Sequence, residues 1–427
     1  DALTGLANRV HLHERLDQIL TGRRRNDGVV ALCVDLDQFK DVNDTYGHYV
    51  GDALLRAVAQ RLQDSVRDAD VLARMGGDEF VVLQTAVDSS AAAAALAGRM
   101  IDEISAPYEL FGHQVTIGVS IGLSVSYEQT VDADELIKQA DLALYKAKQD
   151  GRGVFRFFEE EMNARLQERR RMERDLRTAL SDDQFELYYQ PVVNIERDEI
   201  AGVEALIRWH HPERGVVSPG EFIPIVEEIG LAGPVGEWVI KQACQDAANW
   251  SDDIKIAINV SAAQFRNPGL LDIVKDALSS SGLKSSRLEL EITETVLLDD
   301  SETTLGILNE LRELGVRVAM DDFGTGYASL SYLQKFPFDR IKIDRSFIDE
   351  ITKDGSAIEI VRTVIALSKG LGMATTAEGV ETSDQLTAIV SEGCSDVQGF
   401  LVSRPRPRPE IEALFATFDG CRSLGDY

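Results

Sequence analysis

The second half of the chain alternates between strand-like and helix-like segments for about 240 residues, and this rhythm constrains the fold more than any other feature. The strand-like runs are FELYYQPVV, IAGVEALIRW, IKIAINVS, RLELEITE, VRVAMDDFG, RIKIDRSF, MATTAEGV and VQGFLVS. Amphipathic stretches such as TTLGILNELRELG separate most of them. Repeated alternation is typical of a (β/α)8 barrel. Because no helix separates the first two runs, we expect one antiparallel strand.

Polar side chains fall within or at the ends of these strand-like runs. They are Glu204, Asn259, Glu291, Asp321, Asp322, Lys342, Glu378 and Gln398. In a (β/α)8 barrel the carboxyl ends of the strands meet at one mouth, so we expect these residues to lie together. Any one of them alone is explained as a satisfied polar group at a strand end. The coincidence of all of them favours a functional mouth.

The residue types of this set indicate metal-dependent phosphate chemistry. Several carboxylates at one mouth repel each other unless cations share them. Oxygen ligands with only an amide beside them favour Mg²⁺ or Mn²⁺ over zinc. The adjacent Asp321 and Asp322 suit two metal ions that activate water for phosphodiester cleavage. Lys342 is expected to position that water or offset phosphoryl charge, and Arg208 offers a guanidinium fork for a phosphate.

The first half mixes strand-like and helical segments around one hairpin, which predicts an α/β sandwich with a mixed or antiparallel sheet. Apolar runs such as GVVALCVDLD and QVTIGVSIGLSV read as strands, and AAAAALAGRMIDEI reads as a helix. The hairpin tip is GGDEF, residues 76–80. A turn requires glycines, but it does not require Asp78 and Glu79.

Asp35 ends the first buried strand, and the hairpin can lie beside it in one sheet. Two carboxylates, Asp35 and Asp78, would then form a Mg²⁺ site for a triphosphate. The sequence has no G-x-x-x-x-G-K-[ST] loop, which excludes nucleotide binding of the P-loop type. Asn43 and Asp52 offer donors and acceptors for a purine edge, with helix capping and turn formation as the alternative.

The segment from Glu159 to Leu180 is dense in charge, free of Gly and Pro, and rich in helix formers. We interpret it as a mostly solvated helix that joins two domains. Domain one then covers residues 1–157, the connector 158–178 and domain two 179–420. The stretch RPRPRP at 404–409 is predicted to be neither regular helix nor central strand.

Composition narrows the environment and the partners. The formal net charge of −28 repels nucleic acid and anionic membranes. No apolar run is long enough to span a bilayer, there is no signal-peptide pattern, and four scattered cysteines suit the cytoplasm. Because the motif-like DALTGLANR begins at Asp1, we expect a longer protein with a sensor domain upstream.

The second half resembles the EAL family of cyclic di-GMP phosphodiesterases. The motifs EALIRW, NVS, ELEITE, DDFGTGYASL, KIDRSF, AEGVE and QGF occur in family order across the whole domain. The resemblance implies two ions, Mg²⁺ or Mn²⁺, held by Glu204, Asn259, Glu291, Asp321, Asp322 and Glu378 or their close partners. It also implies catalytic roles for Glu204, Lys342 and Glu378.

The same resemblance assigns the remaining residues of the mouth. Lys342 and Gln398 would hold the nucleophilic water, and Gln190, Arg208 and Gln398 would serve substrate binding. Glu294 would brace the Gly-rich loop DFGTGY, residues 322–327, and the family often has Ser where this chain has Ala328.

The first half resembles the GGDEF diguanylate cyclases over nearly its full length, through DALTGLANR, DLDQFKDVNDTYGH, GGDEF and ADLALYKAKQDGRG. The resemblance implies that Asp35 and Asp78 ligate one or two Mg²⁺ ions with GTP, with Glu79 beside Asp78 in catalysis. It assigns guanine recognition to Asn43 and Asp52. It assigns phosphate contacts to Lys40, Lys148 and Arg152. Because each domain binds one GTP, the cyclase reaction implies a homodimer.

Arg67 and Asp70 match the family's inhibitory product site, with a surface ion pair as the alternative. Gly153 stands where the family often has Asn after "GR".

Together these patterns predict a bifunctional enzyme of cyclic di-GMP turnover. The second half would hydrolyse the dinucleotide to pGpG, and the first half would make it from two GTP. One alternative keeps the phosphodiesterase and makes the first half a GTP-binding regulator. Another is a non-catalytic receptor, which is disfavoured because every expected metal-ligand position is filled.

Overall fold

The protein is described here by a computed structural model. It covers residues 1–22, 28–87, 89–127, 132–265, 267, 269–294, 296, 301–324, 333, 335–336, 338–353, 355–418 and 420. The chain divides into two compact units, Asp1–Arg171 (unit 1) and Met172–Tyr427 (unit 2). Within the described residues, no helix is both long enough and apolar enough to cross a membrane.

Unit 1 is built on a five-stranded sheet in the order β2-β3-β1-β6-β7. Its strands are β1 Gly28–Asp37, β2 Val71–Gly76, β3 Glu79–Val87, β6 Gly118–Ser126 and β7 Phe155–Phe157, and a separate hairpin is formed by β4 Tyr108–Leu110 and β5 His113–Val115. The helices are α1 Arg9–Gly22, α2 Phe39–Tyr46, α3 His48–Ser65, α4 Ser90–Ser105 and α5 Ala133–Gln149. The run QVTIGVSIGLSV is therefore not one strand, since it is divided between β5 and β6.

Strand β1 lies at the centre of this sheet, and all ten of its residues are buried. It pairs antiparallel with β3 and β6, while β6 and β7 are parallel. Its even side chains, such as Leu32, pack in one apolar cluster with α3 and α4, and its odd ones, such as Ala31, in another with α1 and α5. Burial on both faces explains the continuous apolar run, and the predicted mixed α/β sandwich is confirmed.

Unit 2 contains a closed barrel of eight strands. They are β8 Phe185–Asn194, β9 Glu199–His211, β11 Lys255–Asn259, β12 Leu288–Thr293, β13 Arg317–Phe323, β14 Arg340–Ile343, β15 Ala374–Ala377 and β16 Asp396–Val397. Strands β9 and β11 to β16 are parallel neighbours, and β8 closes the ring by pairing antiparallel with both β9 and β16. The predicted barrel with one antiparallel strand is confirmed. Two short strands, β10 Gly215–Val217 and β17 Arg406–Pro407, pair antiparallel with β9 and β8, respectively.

Helices surround this barrel in the strand–helix order that the sequence predicts. They are α7 Pro219–Glu228, α8 Ala232–Ala247, α9 Ala262–Phe265, α10 Leu270–Ser281, α11 Ser301–Glu313, α12 Arg345–Glu350, α13 Gly355–Gly370, α14 Ser383–Glu392 and α15 Arg408–Thr417, with a 3-10 turn at Ser285–Arg287. The expectation that RPRPRP contains no helix is wrong at its end. Helix α15 starts at Arg408, so Pro409 lies in a first turn, where the missing N–H costs nothing.

Residues Glu160–Ala179 form one continuous helix, α6, and the boundary between the units falls inside it. Most of its residues are exposed or half-buried, as expected, but the C-terminal half also carries a buried face. Met172, Leu176 and Ala179 are buried and belong to the apolar core of unit 2. Their spacing of three and four residues places them on one face of the helix. This last part of α6 is therefore a structural component of unit 2.

Truncation of this buried face should destabilise unit 2. Leu176 is 1% exposed, so Leu176→Ala is expected to lower the free energy of unfolding by about 2–4 kcal/mol. The exposed neighbour is the matched control, because Arg177→Ala should change it by less than about 0.5 kcal/mol. Denaturant unfolding followed by tryptophan fluorescence reports on unit 2 alone, since all 3 tryptophans (Trp209, Trp238 and Trp250) lie there. Equal stabilities of the two variants would contradict the packing role.

Candidate active sites

A buried lysine lies at the centre of the barrel mouth. Lys342 is 2% exposed, and its ammonium is surrounded by carboxylates. Its Nζ lies 2.6 Å from Glu378 Oε1, 2.7 Å from Glu291 Oε2, 3.1 Å from Asp321 Oδ1 and 3.7 Å from Glu204 Oε2. One cation therefore gathers side chains that come from four different segments of the chain.

The parallel register of the strands explains this convergence. Asn259 lies beside Glu291, and Thr293 beside Asp321, because β11, β12 and β13 are aligned at their carboxyl ends. Glu378 directly follows β15, and Gln398 directly follows β16. Residues far apart in sequence thus share one end of the barrel, as the strand-end argument predicts.

A backbone irregularity allows two consecutive aspartates to face this mouth. Successive side chains of a regular strand point to opposite faces. The ladder between β13 and β14 is shifted between Met320 and Phe323, and Asp322 has a φ of 52°. This left-handed conformation is uncommon for a residue other than glycine, and Asp and Asn tolerate it best. As a result, oxygen atoms of Asp321, Asp322 and Glu378 lie within 4.8 Å of one another.

Two amides orient Glu204 from the sides, and a third, that of Gln190, contacts one of them. Asn259 Nδ2 donates to Glu204 Oε1 at 2.6 Å, and Gln398 Nε2 donates to Glu204 Oε2 at 2.6 Å. The same Gln398 amide is 3.2 Å from Gln190 Oε1, whose own Nε2 donates to Ser403 O. Gln398 Oε1 is a buried acceptor without a hydrogen bond among the described residues.

The two remaining residues expected at this mouth lie at its edge. Arg208 is four residues beyond Glu204 on β9; its Nη1 donates to Ile207 O, and its guanidinium lies 5.4 Å from the centre of the Tyr188 ring. Glu294 Oε1 accepts a hydrogen bond of 2.9 Å from the backbone N–H of Gly324. That contact holds the first part of the Gly-rich loop, whereas the rest of the loop, with Ala328, lies outside the described residues.

Burial and mutual repulsion strongly perturb the carboxylates around Lys342. Burial, followed by the charges of Asp321 and Glu204, raises the pKa of Glu378 to about 8 despite the lysine. Burial also raises the pKa of Glu291 well above its usual range. For Glu204, Lys342 and the amide hydrogen bonds outweigh burial, so its pKa is lowered. The four carboxylates raise the pKa of Lys342 itself, which keeps the ammonium charged.

These residues fit a divalent cation. The group Asp321, Asp322 and Glu378 supplies hard oxygen donors, and among the described residues it is the one group of three such side chains this close together. Burial and the neighbouring Asp321 raise the pKa of Asp322, so added positive charge would relieve the repulsion. Asp321 Oδ1 is buried and makes no hydrogen bond of ordinary geometry, although Lys342 Nζ is near. A cavity of about 240 Å³ opens above this group.

In unit 1 the acidic residues meet at the strand edge that the sequence indicates. Asp35 on β1 lies directly opposite Glu79 on β3, and Asp78 precedes Glu79 in the hairpin turn. Lys148 Nζ is 2.7 Å from Asp35 Oδ1. Burial raises the pKa of Asp35 and of Glu79, and the charge of Asp78 contributes to both shifts. The carboxylates are more loosely grouped than those of the barrel mouth.

An arginine that the sequence analysis did not single out fixes the hairpin tip. Arg74 donates to Gly77 O through Nε at 3.0 Å and through Nη2 at 2.6 Å, and its Nη1 is 3.0 Å from Asp1 Oδ1. The Asp1 carboxylate also accepts hydrogen bonds from the Thr4 N–H and hydroxyl. The DALTG segment is therefore attached directly to the turn that carries Asp78. Two motifs that are far apart in the sequence are thus in direct contact.

The residues expected to contact the nucleotide in unit 1 lie on separate segments: Lys40 and Asn43 on α2, Asp52 on α3, and Arg152 after α5. Asn43 packs against Gly51, which leaves room for its side chain, while Lys40 and Asp52 are exposed on the neighbouring helices. Arg152 is exposed at the end of α5, in a loop held by a buried carboxylate.

That carboxylate belongs to Asp37, whose Oδ2 accepts a hydrogen bond of 3.1 Å from the Gly153 N–H. Gly153 has a φ of 62°, a conformation that glycine and asparagine adopt most readily. This explains how Gly153 can stand where the family often has Asn. Asp37 was missed by sequence reasoning, although a second Asp two residues after Asp35 was its visible signal.

Arg67 and Asp70 do not form a surface ion pair in the described structure. The Asp70 carboxylate instead accepts hydrogen bonds from the backbone N–H groups of Arg67 and Thr85, at 3.1 and 3.4 Å. The Arg67 side chain is exposed. Asp70 thus shapes the turn before β2 and leaves the guanidinium of Arg67 in solvent.

The raised pKa of Glu378 makes a prediction for cation binding. A carboxyl group with a pKa of about 8 is largely protonated at pH 7, and a cation must displace that proton. Since the deprotonated fraction grows roughly tenfold between about pH 7 and pH 9, Mn²⁺ affinity should rise by roughly that factor. Electron paramagnetic resonance of free Mn²⁺ measures this without any substrate. Glu378→Gln should reduce the pH dependence, and a flat affinity in the unmodified chain would contradict the shift.

Comparison with known proteins identifies the family of each half of the chain. The family described as "EAL domain" matches residues 173–405, and "Diguanylate cyclase, GGDEF domain" matches residues 1–154. The bifunctional diguanylate cyclase/cyclic di-GMP phosphodiesterase MucR of Pseudomonas aeruginosa is 44% identical over 97% of this chain and 61% of its own length. The cyclic di-GMP phosphodiesterase PdeR of Escherichia coli is 37% identical over 98% of this chain and 63% of its own. The chain thus spans less than two thirds of these relatives.

Solved structures show the same architecture. The PaMucR phosphodiesterase in complex with c-di-GMP is 42% identical, with a TM-score of 0.55, over 56% of this chain and 99% of that one. The S helix-GGDEF-EAL structure of Vibrio cholerae LapD has a TM-score of 0.60 over 94% of this chain and 96% of that one, and at 20% identity it shows the fold alone. The chain belongs to the EAL domain family and carries a GGDEF domain ahead of its EAL domain in a tandem arrangement.

Proposed function

We propose that the EAL domain hydrolyses cyclic di-GMP to pGpG with Mg²⁺ or Mn²⁺, two ions at the mouth. The observation that carries this proposal is the complete set of oxygen ligands gathered around Lys342, with an open cavity above it. A receptor has no need of a buried ammonium and a cluster of perturbed carboxylates. The phosphodiesterase names of MucR and PdeR support the same reaction.

The roles of the side chains follow from their contacts. Divalent cations held by these carboxylates would supply Lewis-acid stabilisation of phosphoryl charge and activate water. Glu204 is kept ionised, and its two oxygens are oriented by Asn259 and Gln398. Lys342 stays protonated and offsets negative charge beneath the phosphate. Gln398 Oε1 is free to accept a hydrogen bond from the attacking water.

Substrate binding would use the walls around this centre. Arg208 offers a cation on the strand that carries Glu204, and Gln190 lies beside Gln398. A second cavity of about 300 Å³, lined by apolar residues such as Leu206, Ile223 and Val235, lies next to Asn259. Its size and apolar walls suit a purine base. A cyclic dinucleotide has both groups that these walls would bind: a phosphate for the centre and a base for the neighbouring cavity.

Replacement of Glu204 tests the reaction. Glu204→Gln keeps the shape of the side chain but removes the charge that the cations require, so kcat/KM for cyclic di-GMP should fall at least roughly 10³-fold. Chromatographic detection of pGpG in Mg²⁺ and in Mn²⁺ measures it. Glu196→Gln, at an exposed carboxylate outside the mouth, is the matched control and should leave the rate unchanged. Binding of cyclic di-GMP by the unmodified chain without turnover in either metal would support a receptor instead.

For the GGDEF domain we propose Mg²⁺-dependent GTP binding and, in a homodimer, synthesis of cyclic di-GMP. The facing pair Asp35 and Glu79, with Asp78 in the adjoining turn, supports a metal–triphosphate site. Asn43 and Asp52 would bind guanine, and Lys40, Lys148 and Arg152 would bind phosphates. Arg67 is available in solvent for an inhibitory product. The second candidate is a GTP-binding regulator of the phosphodiesterase, favoured by the loose grouping of these carboxylates.

The Asp78→Asn variant tests whether the hairpin binds metal and GTP or serves only a structural role. Removal of this carboxylate should weaken Mg²⁺-dependent binding of a fluorescent GTP analogue at least about tenfold. The exposed Asp102→Asn on α4 is the control and should bind normally. Formation of cyclic di-GMP from GTP by the unmodified dimer supports the cyclase, and a change in pGpG formation without synthesis supports the regulator. If GTP does neither, both proposals for this domain are wrong.

A further inference from the structure

A second arginine reaches the cavity above the EAL centre. Arg345 is the first residue of α12, three positions after Lys342 at the end of β14. It lines the cavity of about 240 Å³ together with Glu204, Lys342 and Glu378. The sequence assigns no function to Arg345, which lies within the KIDRSF motif but is not expected to bind a metal ion or the nucleophilic water.

The backbone of the neighbouring loop fixes the path of this side chain. The loop after β15 passes beneath Arg345 at Gly379, which has a φ of 68°. A Cβ at Gly379 would overlap the Cγ of Arg345 and approach its Cβ and Cδ. The aliphatic stem therefore rests directly on the glycine, one residue after Glu378. Glycine at this position serves both the left-handed turn and the close approach.

The guanidinium at the end of this stem is held by two exposed carboxylates. Arg345 Nε is 3.1 Å from Asp349 Oδ2, and its Nη2 is 3.0 Å from Glu381 Oε1. The side chains of Asp349 and Glu381 are 39% and 37% exposed, so these ion pairs are weak and exchangeable. Within the described residues, Nη1 makes no hydrogen bond. The guanidinium is thus positioned by contacts that leave donors for a ligand.

The cavity that Arg345 lines is otherwise strongly acidic. Carboxylates of Glu204, Asp321, Glu378 and Glu381 line the cavity. The Lys342 side chain is only 2% exposed and is paired with carboxylates at the floor of the cavity, whereas the Arg345 side chain is 51% exposed. Among the described lining residues, Arg345 is the cation that an incoming anion can contact at the rim. A guanidinium can bind a phosphate in a bidentate manner, whereas each carboxylate that now holds Arg345 contacts only one of its nitrogens.

We propose that Arg345 is a substrate-binding residue of the EAL domain that binds a phosphate of the cyclic dinucleotide at the rim of the cavity. The proposal rests on the function proposed above. On approach of the substrate, the phosphate takes the place of Glu381 or Asp349 on the guanidinium. Arg345 then lowers the repulsion between a doubly charged substrate and an acidic mouth, and it takes no part in bond cleavage.

The test compares affinity with turnover. Arg345→Ala should raise KM for cyclic di-GMP by about 10- to 100-fold and change kcat by less than about twofold. Arg345→Lys keeps the charge but loses the bidentate guanidinium, so its KM should lie between those of the unmodified chain and Arg345→Ala. Calorimetry in the Glu204→Gln background measures the dissociation constant without hydrolysis, and Arg345→Ala should weaken binding there by the same factor. Thermal unfolding of each variant verifies the fold.

Arg362→Ala is the matched control. Arg362 is 50% exposed, pairs with Glu359 and Glu392, and does not line the cavity, so KM and affinity should stay at the unmodified values. A lower kcat with unchanged KM and affinity in Arg345→Ala would overturn the proposal, because Arg345 would then act through the Glu378 loop. Unchanged constants throughout would also overturn it. If the unmodified chain binds the dinucleotide but does not cleave it, the phosphodiesterase proposal fails, while the calorimetric comparison still decides the role of Arg345.

Discussion

The contact between the Lys342 ammonium and four carboxylates is the interaction on which the EAL domain depends. Without that buried cation, Glu204, Glu291, Asp321 and Glu378 could not be held together at one end of a barrel, because each charge in a low-dielectric interior repels the others. The cation also leaves an excess of negative charge, which is the condition for binding divalent ions. The fold and the chemistry are therefore linked through one side chain. The strands bring the acids together, and the lysine makes their proximity tolerable.

The barrel and the residues of its mouth could be predicted from sequence because two independent patterns agree. Apolar runs mark the strands, and polar residues such as Asn259 and Glu291 recur at their ends. The bulge that turns both Asp321 and Asp322 toward the mouth could not be predicted, since it requires a left-handed aspartate that no local pattern indicates. Arg345 was missed because its position depends on Gly379, a glycine from another strand end. Such contacts between distant segments have no signature in a single sequence.

In unit 1, too, features set by local sequence could be predicted, whereas contacts between distant segments could not. The central strand and the hairpin follow from composition, and the pairing of Asp35 with Glu79 follows from their neighbouring strands. The bond from Arg74 to Asp1 joins segments at the two ends of the α1–β2 stretch, so it is visible only in three dimensions. The C-terminal half of α6 likewise looked solvated because its buried face holds only three residues among many charges. Burial of so narrow a stripe is decided by the partner surface, not by the helix itself.

The antiparallel direction of β8 has a consequence for how the chain enters the barrel. The other strands of the ring arrive at the mouth with their carboxyl ends, whereas β8 starts there, with Phe185 opposite Trp209 and Gln190 opposite Glu204. Helix α6 ends at Ala179, only a few residues before β8 begins, so the chain enters the barrel at the rim of the mouth. A parallel first strand would have delivered it to the opposite rim. Any displacement of the last turn of α6 would therefore first move residues on the side of the domain where Glu204 lies.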